Sequence, residues 1–259
     1  KAAANTGSGG AGGGFNGSAT NYVGGNGGSG LIILRYALPS VSAIDLATAS
    51  DTGSSSTDDI TTATTLTITG SAPVGATVQL QDGGVNTGST CTASDTTGAW
   101  SCTTGTLASG VHSITAVSTT TLMATTATST SSALSVTVDT VAPTVSSFTS
   151  AQTTPTSATS FTYTLTFSES VNGVASGDFT NAGTATGCTF TPSAATGSTF
   201  TVTASGCAGG TVIPQFAVNG ASDPAGNNGP ASAANGTTIN VVTNVGLATD
   251  RSRQFTGTP

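Results

Sequence analysis

The sequence predicts an all-β protein: two β-sandwich domains in tandem behind a glycine-rich N-terminal segment. Three observations carry that prediction. Apolar and polar residues alternate over short runs along most of the chain, and turn residues interrupt the runs at close intervals. No window combines sustained 3.6-residue periodicity with helix formers. Alternation with period two marks strands buried on one face, and closely spaced turns mark the short strands of a sandwich.

Residues 1–37 form the glycine-rich segment. Gly7 to Gly30 is mostly Gly, Ser and Asn, with Phe15, Tyr22 and Val23 embedded, and it runs into the strand-sized Leu31-Ile32-Ile33-Leu34-Arg35-Tyr36. Such backbone becomes ordered when neighbouring backbone or another chain satisfies its N–H and C=O groups. This points to assembly with other copies or with neighbouring repeats.

Residues 38–141 read as the first sandwich. Its strands are carried by Leu66-Thr67-Ile68-Thr69, Thr77-Val78-Gln79-Leu80 and Leu134-Ser135-Val136-Thr137-Val138, with turns at Ala72-Pro73-Val74-Gly75 and Asp82-Gly83-Gly84. Threonine suits the wet face of such strands. A joint follows at Val138-Asp139-Thr140-Val141-Ala142-Pro143, where proline stiffens the chain. Residues 142–243 read as the second sandwich. Its strands are Phe161 to Phe167, Phe200 to Thr203 and Ile239 to Val241, with a turn at Asp223-Pro224-Ala225-Gly226-Asn227. Residues 244–259 read as a tail or the start of a further unit. The sequence opens on Lys1 with no leader or initiator Met, which suggests a processed product or a piece of a longer polypeptide.

Charge excludes several classes of function. All four basic residues (Lys1, Arg35, Arg251, Arg253) lie outside Tyr36 to Asp250, and all eleven acids lie within that span. A net charge of −7 with no basic patch excludes a nucleic-acid footprint and electrostatic binding to anionic lipid. No apolar run reaches the ~20 residues of a membrane-spanning helix. A surface without Lys or Arg offers trypsin-like proteases nothing to cleave, which suits an extracellular location.

The four cysteines form two local pairs. Cys91 and Cys102 flank Ser94-Asp95-Thr96-Thr97-Gly98, and Cys188 and Cys207 flank Ala194-Ala195-Thr196-Gly197-Ser198. Each pair lies nearly symmetrically about its turn, as the cross-strand bridge of a hairpin would. Neither has CxxC spacing or ligand histidines nearby, which argues against zinc. Disulfides imply an oxidising compartment; the alternative is four buried thiols.

From Asp45 to Val145 the chain resembles the bacterial Ig-like repeats of large surface adhesins. The resemblance runs through Asp45 to Thr61, Thr67-Ile68-Thr69-Gly70-Ser71-Ala72, Gly75-Ala76-Thr77-Val78, Asp95-Thr96-Thr97-Gly98-Ala99-Trp100 and Gly110-Val111-His112-Ser113-Ile114-Thr115-Ala116. It ends in the joint Asp139-Thr140-Val141-Ala142-Pro143-Thr144-Val145. The second half is similar to another bacterial Ig-like type, through Phe161 to Ser168, Val174 to Phe179 and Asp223 to Asn227. The glycine tract is similar to glycine-rich ends of bacterial and phage surface modules. Cys91 and Cys102 depart from the family, which usually has hydrophobic residues there.

The resemblance implies two Ig-like domains acting as a non-enzymatic structural segment of a bacterial surface or appendage protein. Such a segment would serve as a rigid spacer, assembling into a fibre, with a role in adhesion or surface scaffolding and a host or surface glycan as a conceivable partner. Two alternatives stand beside it. One is a phage virion decoration or fibre protein. The other is a carbohydrate-binding module of a secreted enzyme, for which Trp100 would have to offer an exposed stacking platform.

No catalytic residue is expected. His112 is the only histidine and sits on the strand face of Ile114 and Ala116. No nucleophile elbow accompanies it. Glu169, the only glutamate, reads as a solvated residue at a strand end, with Asp178 the nearest acid in sequence.

Calcium is the chemical expectation, because hard cations take oxygen ligands. Asp45, Asp51, Asp58 and Asp59 crowd one loop-like segment with no Lys or Arg nearby. The family resemblance implies calcium at Asp45, Asp51, Asp58 and Asp139, and at a loop formed by Asp223 with Asn227. The competing reading makes these acids turn formers and caps.

Overall fold

The computed structural model describes residues 40–122 and 125–243. The expectations for the glycine-rich segment 1–37 and the tail 244–259 therefore lie outside the described residues.

The fold is all-β, as the alternation predicts. The first half contributes β1 (Asp45–Leu46), β2 (Ile60–Thr61), β3 (Thr67–Ser71), β4 (Thr77–Asp82), β5 (Val85–Thr92), β6 (Ala99–Thr103), β7 (Gly110–Leu122), β8 (Thr125–Thr130) and β9 (Leu134–Val138). Two sheets form, in the orders β1-β3-β6 and β2-β9-β7-β4-β5, with β8 also on β7. Their inner faces enclose one core, in which Leu66, Ile68, Val78, Leu80, Ile114 and Val136 are fully buried. Burying each such side chain stabilises by roughly 1.5–3 kcal/mol. Trp100 lies in this core over Gly70. A Cβ at Gly70 would meet the indole ring at 2.6 Å, so only glycine lets β3 and β6 approach beneath it.

The second half contributes β10 (Val145–Thr149), β11 (Ser160–Asn172), β12 (Phe179–Asn181), β13 (Thr189–Pro192), β14 (Thr196–Ser205), β15 (Gly210–Val212), β16 (Pro214–Phe216), β17 (Ala221–Ser222), β18 (Asn228–Gly229), β19 (Ala234–Asn235) and β20 (Ile239–Val241). A single 3-10 turn, Ser176–Asp178, precedes β12, and the Ala175 N–H donates to Asp178 Oδ2 at 2.7 Å there. The main sheet runs β13-β14-β11-β17-β18 with β10 on β11, faced by β12-β16-β19 and β15-β20. Along β11 the pattern is strict: Phe161, Tyr163, Leu165 and Phe167 face inward, while Thr162 and Thr164 face water. This core is aromatic, with edge-to-face pairs such as Phe167–Phe200 (centroids 5.8 Å apart) and Phe167–Phe216 (5.4 Å). Burial pushes the Tyr163 phenol well above its ordinary range, and its hydroxyl donates to the Val212 carbonyl at 3.4 Å.

Both disulfides are present, Cys91–Cys102 and Cys188–Cys207. The second behaves as the sequence suggests: it lies just beyond the β13–β14 ladder, whose last pair is Thr189 with Ser205. The first is corrected. β5 and β6 do not pair; they belong to different sheets and are edge strands of each, so Cys91–Cys102 links sheet to sheet instead of closing a hairpin ladder. The turn is real, since the Ser94 N–H donates to the Ala99 carbonyl at 2.8 Å, but the strands splay after it.

Among the described residues no helix is long and apolar enough to cross a membrane.

Candidate functional site

The loop carrying Asp223-Pro224-Ala225-Gly226-Asn227 organises itself around a fully buried carboxylate. Asp223 Oδ1 accepts from the backbone N–H groups of Gly226 (2.7 Å) and Asn227 (2.9 Å), and Oδ2 accepts from Asn227 Nδ2 at 2.8 Å. Asn227 Nδ2 also donates to the Asp139 carbonyl at 2.9 Å. That bond ties the loop to the chain leaving β9. A second tie comes from residue 54, whose N–H and hydroxyl both donate to the Pro224 carbonyl, at 3.0 and 3.2 Å. Gly53 is required there. Its φ is +110°, and a Cβ would run into the Pro224 carbonyl oxygen.

The two ties bring three acids together. Carboxylate oxygens of Asp139, Glu169 and Asp223 lie within 4.8 Å of one another. The sequence reading of Glu169 as a solvated loop residue is thereby corrected. β11 continues to Asn172, and Glu169 is half-buried in it. Burial first, then the nearby Asp139 and Asp223 charges, raises the Glu169 pKa above its ordinary value. Asp178 is not part of this group; it caps the 3-10 turn.

The structure also regroups the sequence candidates. Asp139, at the joint, lies with Asp223 and Asn227, while Asp45, Asp51 and Asp58 lie elsewhere. Those three, with Asp59, form a separate acidic segment, Asp45 in β1 and the others in the loop to β2. Asp51 is 5% exposed, and its Oδ1 is buried with no donor. Burial raises the Asp51 pKa; the Asp58 and Asp59 backbone amides oppose the rise, and the Asp58 and Asp45 charges add to it. Asp59 is raised by burial and then by the Asp51, Asp45 and Asp58 charges. It adopts a left-handed φ of +57°, and Asp58 Oδ1 accepts the Ile60 N–H at 3.3 Å. Oxygen donors of this kind suit a hard cation, and among the described residues only the joint brings three carboxylates within 4.8 Å of one another.

His112 has a different role. Its Nδ1 lies 2.7 Å from Asp82 Oδ2, and its Nε2 lies 2.9 Å from the Ala108 carbonyl. An acceptor at each ring nitrogen favours the doubly protonated imidazolium. Burial acts against that charge, but the Ala108 carbonyl and the Asp82 carboxylate outweigh it and raise the pKa above 6.5. Among the described residues no nucleophile hydrogen-bonds to His112. A shallow cleft of about 530 Å³ beside Cys91–Cys102 is lined by Ser, Thr and Gly and holds neither histidine nor acid. Trp100 is 4% exposed, and the phenylalanines and tyrosine among the described residues are buried as well. Those residues therefore present no aromatic platform for a sugar.

Residues 38–140 match the family model of the bacterial Ig-like domain. That family is a structural domain family, and the all-β sandwich and the two disulfides are compatible with an extracellular or surface location. No curated protein matches the chain.

Proposed function

We propose that the chain is a non-enzymatic spacer in a bacterial extracellular surface or appendage protein. In this reading residues 38–141 and 142–243 are two Ig-like domains in tandem, working in adhesion or surface scaffolding and assembling with further copies. The observation that carries the reading is the joint. Two cores, each closed by its own disulfide, are fastened through Asn227 to Asp139 and through residue 54 to Pro224. A spacer that holds its reach needs such a joint, whereas a catalytic module would need a cleft furnished with reactive groups.

Calcium is part of the proposal. Asp139, Glu169 and Asp223, whose carboxylates lie together, would hold it at the joint; Asp45, Asp51 and Asp58 are the second candidate set, supported only by the action of the Asp58 and Asp45 charges on Asp51. In both places burial first, and neighbouring carboxylates after it, raise a carboxylate pKa, and residues 40–243 contain no Lys or Arg to supply a counter-charge. A bound cation would remove that repulsion and stabilise by mass action.

The test is small-angle scattering and calorimetry of the full chain with calcium and with chelator. The expected result is an elongated particle that keeps its length in both conditions and melts several degrees higher in calcium. Magnesium should be a poorer substitute, since it demands tighter octahedral geometry. A distribution of lengths typical of freely jointed domains would overturn the spacer. A melting temperature indifferent to calcium would remove the cation and leave the spacer standing.

A further inference from the structure

Natural sheets guard their edges, because an edge strand presents unpaired N–H and C=O groups to any other strand. Among the described residues the edges are guarded, with one exception. β12 is three residues long, and β6 is tied to β5 by the Cys91–Cys102 bridge. β1, β2, β18 and β19 are two residues long, and β15 and β20 are three. β5 is interrupted by Gly88 at φ +66° and shifts register against β4. β13 ends in Pro192. β10 is bulged between Val145 and Ser147, and its Phe148 carbonyl already accepts the Thr237 N–H at 3.0 Å.

β8 has none of these devices. Its six residues, Thr-Thr-Ala-Thr-Ser-Thr, contain no charge, proline or glycine, and they pair with β7 without a register break. The whole stretch Val117 to Thr130 is free of ionisable residues.

The phase of the ladder fixes which groups of β8 are free. The Ser131 N–H donates to the Ala116 carbonyl at 2.9 Å. In an antiparallel pair the hydrogen-bonded positions alternate. Counting from 116–131 with the observed register, 118–129 and 120–127 exchange bonds, while 117–130, 119–128 and 121–126 do not. Thr126, Thr128 and Thr130 therefore turn their N–H and C=O groups away from β7. All three are exposed, and none donates to or accepts from backbone elsewhere among the described residues.

We infer that β8 is a docking edge for a second copy of this chain, joined antiparallel about a two-fold axis through Thr128. That axis pairs Thr128 with its own copy and Thr126 with Thr130 of the other chain. Every outward N–H then meets an outward C=O, and no other register within the strand satisfies all three residues at once. On the exposed face the pairing sets threonine against threonine, a favourable cross-strand combination for β-branched hydroxyls. No like charges meet at the seam. A row of threonines already crosses the sheet that holds β8 through Thr92, Thr77, Thr119 and Thr128, and the axis continues it into the partner. The contact is self-complementary, so it closes as a dimer.

The inference deepens the assembly element of the proposed function and rests on it only for a reason why copies should meet. Its test is sedimentation velocity of the full chain over a range of concentrations, for the native sequence and Thr128→Pro. The Thr128 N–H points away from β7, so proline there leaves the chain's own ladder intact. The native chain should form dimers, and Thr128→Pro should weaken association at least tenfold with unchanged circular dichroism and melting temperature. In parallel, oxidised Thr128→Cys should cross-link to itself, while Thr121→Cys on the neighbouring strand should not. A native chain that stays monomeric at every concentration overturns the inference and leaves the spacer untouched. Assembly that survives Thr128→Pro, or equal cross-linking at both cysteine positions, overturns the edge but keeps assembly.

Discussion

Replacing Asp223 by asparagine swaps one carboxylate oxygen for an NH2 group with almost no change in volume. The oxygens of Asp223 serve three donors: the Gly226 and Asn227 backbone N–H groups at Oδ1 and the Asn227 side chain at Oδ2. An amide has a single acceptor. If it keeps the two backbone donors, its NH2 faces the NH2 of Asn227. Flipping the Asn227 amide would cure that conflict, but Asn227 Nδ2 also donates to the Asp139 carbonyl, and the flip would set two oxygens together. One buried polar group is thus unmatched in every arrangement. That costs roughly 1–3 kcal/mol, and the lost charge assistance brings the expected total to about 2–4 kcal/mol. Urea unfolding of the full chain measures it, alongside Asn227→Ala and the double variant. Because the two residues touch, the cycle should show coupling of about 1 kcal/mol or more. A loss under about 0.5 kcal/mol, the range of ordinary surface substitutions, would refute the network.

Two further predictions follow from the first sandwich. The folded His112 pKa lies above 6.5, so its contribution is complete below the unfolded value and disappears as pH rises through the folded one. His112→Gln should therefore cost about 1–2 kcal/mol near pH 5 and much less near pH 9, and a penalty that does not change with pH would mean that the ring is neutral in the fold. Replacing Cys91 and Cys102 together by alanine opens a closed loop with a sequence separation of 11 and should lower stability by about 3 kcal/mol. The urea midpoint reads this directly, and an unchanged midpoint would show that the splayed strands hold without the bridge.

What could be read from the sequence, and what could not, divides by distance along the chain. The strand over Leu134 to Val138 and the core face of β11 were legible because alternation is local. The joint was not, because its acids lie in three separate segments that only the tertiary fold brings together. Glu169 carried a signal that went unread: it has the same odd-numbered parity as Phe161 to Phe167 and Val171, so an acid stood on the inward side of a strand. The splay at Cys91 and Cys102 was hidden for another reason. Cysteines placed evenly about a turn look the same whether the strands stay in one sheet or separate. The inward position of Cys102, two residues from Trp100, was the available clue. The crowding of Asp45, Asp51, Asp58 and Asp59 was legible, but the orphaned Asp51 oxygen required side-chain packing to be seen.

The pairing of the terminal strands bears on how this molecule would carry load. β2 runs parallel to β9, with the Thr137 N–H on the Asp59 carbonyl and the Asp139 N–H on the Thr61 carbonyl, each at 2.8 Å. The second half repeats the arrangement where Thr156 meets Val241 in parallel. In both halves an early segment, a short strand in the first and a single bridge in the second, lies alongside the last strand and points the same way. Tension applied through the two ends of such a unit slides these strands past each other and strains their hydrogen bonds together, whereas an antiparallel terminal pair would peel open one bond at a time.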